Sequence, residues 1–252
     1  MAATTVKLVA LPLLTLLAQL QPSGRSIMAG YHPVTSEAEA IEQASQLTEL
    51  DTLTQTIAAR QLIIRDDRTP FLWRQFEGKP CWEVNFDGVS LRLRSAISGF
   101  RDKYVRRFAV LLDGTTGQLI RIVSPFEGQD PDFRPQPSGA AAEAQLRGQD
   151  EIYEGLPPHP PRLTFLAALD VELTQGIGSP FLAKEIYASY VTHSRAGASP
   201  RAVWVITLNG LPPMPVDGPF GDTVPAWQRN HMRNVVDDAT GRNLFGTNSP
   251  QP

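Results

Sequence analysis

Four histidines, one cysteine, three pairs of adjacent carboxylates and a run of arginines are the side chains with which this 252-residue chain could do chemistry. His32, His159, His193 and His231 stand far apart, with no H-x-x-x-H or H-E-x-x-H spacing. No helical face therefore offers two imidazoles to a zinc ion, and all four read as loop or surface residues. Cys81 sits between Pro80 and Trp82 with no histidine nearby in sequence to take its proton, so it reads as a small packed apolar side chain. A single cysteine also excludes an intramolecular disulfide and a multi-cysteine metal site. Asp66-Asp67, Asp150-Glu151 and Asp237-Asp238 have the residue types of paired acid/base groups, but turn and surface duties account for them. Gly176-Ile177-Gly178 lacks the third glycine of a dinucleotide fingerprint and runs into Pro180, which makes it a helix stop. There is no G-x-S-x-G elbow and no P-loop. The sequence therefore points to no catalytic, cofactor-binding or metal site.

The densest charge lies at Arg92, Arg94, Arg101, Lys103, Arg106 and Arg107, with Asp102 the only acid among them. Arg92 and Arg94 alternate with Leu91 and Leu93, which places the arginines on one face of a strand. These six residues are the candidate contacts for an acidic partner or for lipid headgroups, the plain alternative being a solvated face. A nucleic-acid role has little support: the net charge is -3, and the run lacks the interleaved aromatics of a stacking platform.

Something must position these groups, and the chain supplies it twice. Trp82-Glu83-Val84-Asn85-Phe86-Asp87-Gly88 is followed by Phe108 to Leu112, the turn Asp113-Gly114-Thr115-Thr116-Gly117, and Ser124-Pro125. Trp204-Val205-Ile206-Thr207-Leu208-Asn209-Gly210 is followed by Asn234 to Val236, the turn Asp237-Asp238-Ala239-Thr240-Gly241, and Ser249-Pro250. The offset between equivalents runs only from 122 residues (Trp82 to Trp204) to 125 (Ser124 to Ser249), as expected of a duplication. Trp82, Val84 and Phe86 alternate with polar residues as in a strand with one buried face, and Trp204, Ile206 and Leu208 repeat the pattern. Each Asp-x-x-Thr-Gly segment reads as a hairpin loop, with aspartate accepting from nearby N–H groups and glycine permitting a positive φ.

Upstream of each sheet the spacing is helical. Ser36 with Glu37 and Glu39 marks a helix start, and Ile41, Ala44, Leu47 and Leu50 continue it. Leu53 and Ile57 extend that helix or open another. In the second half, Phe165, Leu166, Leu169, Val171 and Leu173 predict a helix, and Phe181, Ile186, Tyr187 and Tyr190 a further one. Between the halves, Pro125 to Pro161 holds eight of the 22 prolines and reads as a linker. The expected fold class is α+β: two tandem modules, each a helix packed on a small antiparallel sheet, spanning 31–125 and 162–252 around a linker at 126–161.

With Trp82, Val84 and Asp113 to Gly117 in the first copy, and Trp204, Ile206 and Asp237 to Gly241 in the second, the chain resembles the PepSY-like family. A cystatin-like sheet would share the pattern. The resemblance covers roughly 34–125 and 162–250. It implies an exported or cell-envelope protein, as in the propeptides of secreted metallopeptidases, that binds or inhibits without catalysis.

The first thirty residues fit that implication. Lys7 precedes the apolar run Leu8 to Ala18, which has the length of a signal-peptide core and is too short to span a membrane comfortably; Ala18 and Ala29 are the candidate cleavage positions. Residues 1–30 read as a leader or, uncleaved, as the only membrane contact. The expectation is a secreted or periplasmic, non-enzymatic module that binds a protein or peptide, a peptidase among the partners considered. A structural envelope protein is the alternative, with an enzyme whose site lies between the modules ranked behind both.

Overall fold

The computed structural model describes residues 28–64, 76–93, 103–124, 151–175, 183–195, 199–209 and 231–247. Most of the leader (1–27) and the linker from 125 to 150 lie outside them. No helix among the described residues is long and apolar enough to cross a membrane.

The first half starts where its signals place it. Helix α1 (Glu37–Thr48) is closed by a capping box: the Ser36 side chain accepts from the Glu39 N–H, and the Glu39 carboxylate accepts from the Ser36 N–H. Such a cap is worth about 1 kcal/mol. Its apolar stripe of Ala40, Ala44 and Leu47 is buried. Glu49 ends it in the left-handed region at φ 59°. Strands β1 (Thr56–Ile63), β2 (Pro80–Leu93), β3 (Lys103–Asp113) and β4 (Leu119–Val123) then form an antiparallel meander.

The second half repeats this. Strand β5 (Glu151–Gly155) precedes helix α2 (Phe165–Gln175), which leads to the meander β6 (Glu185–Arg195), β7 (Arg201–Asn209), β8 (His231–Asp237) and β9 (Asn243–Thr247). Both tryptophans anchor a helix start. Trp82 Nε1 donates to the Val34 carbonyl at 3.0 Å, and Trp204 Nε1 to the Leu163 carbonyl at 3.1 Å. Both turns form as read: Asp113 accepts from the Thr115 and Thr116 N–H groups, and Asp237 from the Thr240 N–H.

The expected pair of separate small-sheet modules is not what forms. The two meanders merge into one antiparallel sheet of order β1-β2-β3-β4-β6-β7-β8-β9, with β5 beside β6. Strand β4 pairs with β6 through Ile122↔Ala188 and Val123↔Tyr187. Ser124 sews the same seam, its N–H donating to the Ile186 carbonyl and its Oγ accepting from the Ile186 N–H at 2.8 Å. The physical reason is that a meander leaves an unpaired ladder on its last strand, and β6 satisfies it.

The helices add to the union. Phe165 of α2 meets Phe108 of β3 edge-on at 5.4 Å and Trp204 at 6.0 Å, and Thr164 donates to Glu49 at 3.1 Å. One apolar core therefore runs beneath both helices, from Leu47 and Phe86 through Phe108 to Trp204 and Val236. A smaller cluster on the other sheet face also includes residues of both halves, among them Cys81, Leu111, Ile120, Val191, Val205 and Val235.

Two helical expectations fail, and burial explains the second. Ile57 lies in β1, and Ile186, Tyr187 and Tyr190 lie in β6. Ile186, Tyr187 and Tyr190 are all buried, because β6 is central and covered on both faces. A buried strand has no polar alternation, so an apolar run of this kind does not distinguish it from a helix.

Candidate protein-binding surface

Arg92, Lys103, Arg106 and Arg107 sit on the longest strand pair of the sheet, β2 with β3. Strand β1 stops pairing with β2 at Asp87, and β4 pairs with β3 only from Leu112 to Ala109. Beyond these limits, among the described residues, β2 and β3 pair only with each other, through Leu91↔Val105, Arg92↔Tyr104 and Leu93↔Lys103. A two-stranded ribbon results. It is set off by a bulge between Asp87 and Leu91, where Gly88 adopts φ +75° and a Cβ would lie 2.9 Å from that of Gln55. Only glycine fits there.

Leu93 is buried in the common core, with Leu91 and Val105 packed against it. Arg92, Tyr104 and Arg106 are exposed. Arg92 opposes Tyr104 across the ribbon, and the Arg106 guanidinium lies 5.0 Å from the centre of the Tyr104 ring, a cation–π geometry worth about 0.5–1 kcal/mol at an exposed site. Tyr104 is 43% exposed, one of two large apolar side chains left open among the described residues.

Arg107 is brought elsewhere. It opposes Asp87 and forms an ion pair with it, while Arg60 pairs with Glu83 at 2.7 Å on the neighbouring strands. Lys103 opens β3 opposite Leu93. Arg94 and Arg101 lie outside the described residues. The structure thus groups Arg92 with Arg106 and adds Tyr104, which the charge pattern passed over. Its signal was the spacing Tyr104-x-Arg106, since i and i+2 on a strand share a face.

Several other titratable groups serve the interior. Asp238 accepts from the Arg162 and Leu163 N–H groups at 2.9–3.0 Å and from the Tyr190 hydroxyl at 3.1 Å. The equivalent tie in the first half is the Gly114 carbonyl, which accepts from the Val34 N–H. Burial, with the Asp238 charge behind it, pushes the Tyr31 and Tyr190 hydroxyls well above the ordinary tyrosine range. Tyr190 also faces His159 at 3.4 Å. Glu172 of α2 is 1% exposed and accepts from Asn234 Nδ2 at 2.7 Å. Burial raises its carboxyl to about 8 against this one lowering bond.

His193 is buried and His32 exposed. Cys81 is buried within the smaller cluster. Asp66, Asp67 and Asp150 lie outside the described residues. Among the described residues no group of three or more His, Cys, Asp or Glu side chains is arranged to hold a metal ion. No family model, curated protein or solved structure matches the chain.

Proposed function

We propose that the chain is an exported, non-enzymatic binding protein whose β2–β3 ribbon contacts an acidic face of a protein partner. One observation carries this reading: Arg92, Tyr104 and Arg106 lie exposed together on a ribbon that projects past its neighbouring strands. Arginine and tyrosine are the side chains that most often anchor protein interfaces, because each offers a large contact area with a polar tip. The apolar side of the ribbon is rooted in the core, so the contact residues are held before binding, which lowers the entropy lost on association. The apolar run after Lys7 and the PepSY-like motifs support an extracytoplasmic setting, with a peptidase among the partners.

The test is capture from an extracytoplasmic fraction with the full chain as bait, compared with Arg92→Glu/Arg106→Glu. A partner retained by the parent chain at low salt, released by added salt and not retained by the double variant agrees with the proposal. A partner retained equally by both moves the contact surface off the ribbon.

A further inference from the structure

The sheet has a second exposed feature, at its other flank. Strand β1 ends the strand order, and nothing among the described residues pairs with its outer edge. It is also more open than the strands inside the sheet. Thr56, Ala58, Arg60, Gln61 and Ile63 are exposed, and Ile63 reaches 59%, whereas β7 is buried over seven consecutive residues.

The hydrogen-bond register shows which backbone groups face outward. The Ile64 N–H donates to the Lys79 carbonyl, and the antiparallel register continues this through Leu62↔Cys81, Arg60↔Glu83 and Ala58↔Asn85. Even-numbered residues therefore spend their amides on β2, and Ile57, Ala59, Gln61 and Ile63 present theirs to the outside. One of these four is already in use. The Ala59 N–H donates to the Glu37 carboxylate at 3.3 Å.

Glu37 therefore marks the edge as well as blocking part of it. Helix α1 packs over β1 and β2 and carries Glu37, Glu39 and Glu42 with no lysine or arginine. Partly buried Ile41 of α1 lies with Ile57 and Ala59 on the helix side of the edge, against the core. The edge's own cation, Arg60, is matched by Glu83. A strand laid along β1 thus meets apolar contacts from Ile57 and Ile63 and, among the described residues, a Glu37 carboxylate at the edge with no lysine or arginine set against it.

We propose that the β1 edge docks an extended segment of another protein, with alternate apolar residues and lysine or arginine beside them, as an added antiparallel or parallel strand. Backbone pairing to Ile57, Gln61 and Ile63 supplies the attraction, and Glu37 turns from Ala59 to the incoming cation. A second copy of the chain is the weaker fit. Pairing β1 with β1 about a twofold axis brings two acidic α1 helices side by side, which opposes association.

The probe is a synthetic strand-forming peptide of alternating valine and lysine, with a valine–glutamate peptide as its control. Binding is read by fluorescence anisotropy on the full chain. The lysine peptide is expected to bind in preference to the glutamate peptide and to slow hydrogen exchange at Ile57, Gln61 and Ile63. Gln61→Pro removes an outward N–H while leaving the bonds to β2 in place, and it is expected to weaken binding by about tenfold or more. Glu37→Gln, which leaves the edge backbone intact, is expected to erase the preference for lysine. Circular dichroism on each variant checks that it is folded.

Failure of the parent chain to bind the lysine peptide overturns the proposal, as does equal binding of the two peptides. A homodimer that Gln61→Pro dissociates assigns the edge to a second copy instead.

Discussion

Replacing Glu172 with glutamine should make the protein more stable in alkaline solution and leave it nearly unchanged in acid. In the unfolded chain this carboxyl titrates near its ordinary 4.5, whereas in the fold burial holds it at about 8. Between those values the unfolded chain has released a proton that the native state still holds. Stability therefore falls as pH rises through the window: the contribution is complete below 4.5 and gone above about 8. At about 1.4 kcal/mol per pH unit the loss is on the order of 3–5 kcal/mol, a large share of what a domain has to spare.

Glutamine keeps an oxygen to accept from Asn234 Nδ2 and carries no charge to desolvate. Urea unfolding of Glu172→Gln and the parent, at about pH 4 and about pH 9, measures the difference. The variant should be more stable by a few kcal/mol at the higher pH and within about 1 kcal/mol of the parent at the lower one. An equal difference at both values would refute the claim that Glu172 is neutral in the native state at neutral pH.

Asp238→Ala leaves the Arg162 and Leu163 N–H groups and the Tyr190 hydroxyl without their acceptor; a loss of about 3 kcal/mol is expected by denaturant titration. Tyr190→Phe removes only one donor to Asp238, and should cost about 1 kcal/mol by the same assay. Gly117 sits at φ +74°, where an added Cβ would collide with the Gln43 amide and the His32 carbonyl. Gly117→Ala is expected to lower thermal stability by at least about 2 kcal/mol. Since one core and one sheet serve both halves, calorimetry should show a single transition; two separated transitions would contradict the shared core.

The local signals were legible in the sequence. Ser36 and Glu39 announce the cap of α1, and the alternation around Trp82 and Trp204 announces β2 and β7. The Asp-x-x-Thr-Gly segments announce the turns. All of these depend on neighbours a few residues away. The seam between the halves was not legible, because edge pairing depends on backbone groups that every residue carries, and Val123 looks the same whether its strand ends a sheet or continues it. Reading two modules followed from treating the proline-rich stretch as a spacer, although Glu151–Gly155 within it adds a strand beside β6. The arginine ribbon was visible as charge and alternation. The placement of Tyr104 between Arg92 and Arg106 needed the cross-strand register, and the open edge of β1 needed the whole strand order.

The seam also sets an order of events during synthesis. Each meander is made of neighbouring hairpins, whose contacts are close in sequence and form early. Ser124 and Ile186, by contrast, lie 62 residues apart. On the ribosome the first meander is complete, with β4 exposed as a raw margin, before β6 has been translated. During that interval the nascent chain offers β4 to any strand that arrives, including the β6 of a sister chain on the same message.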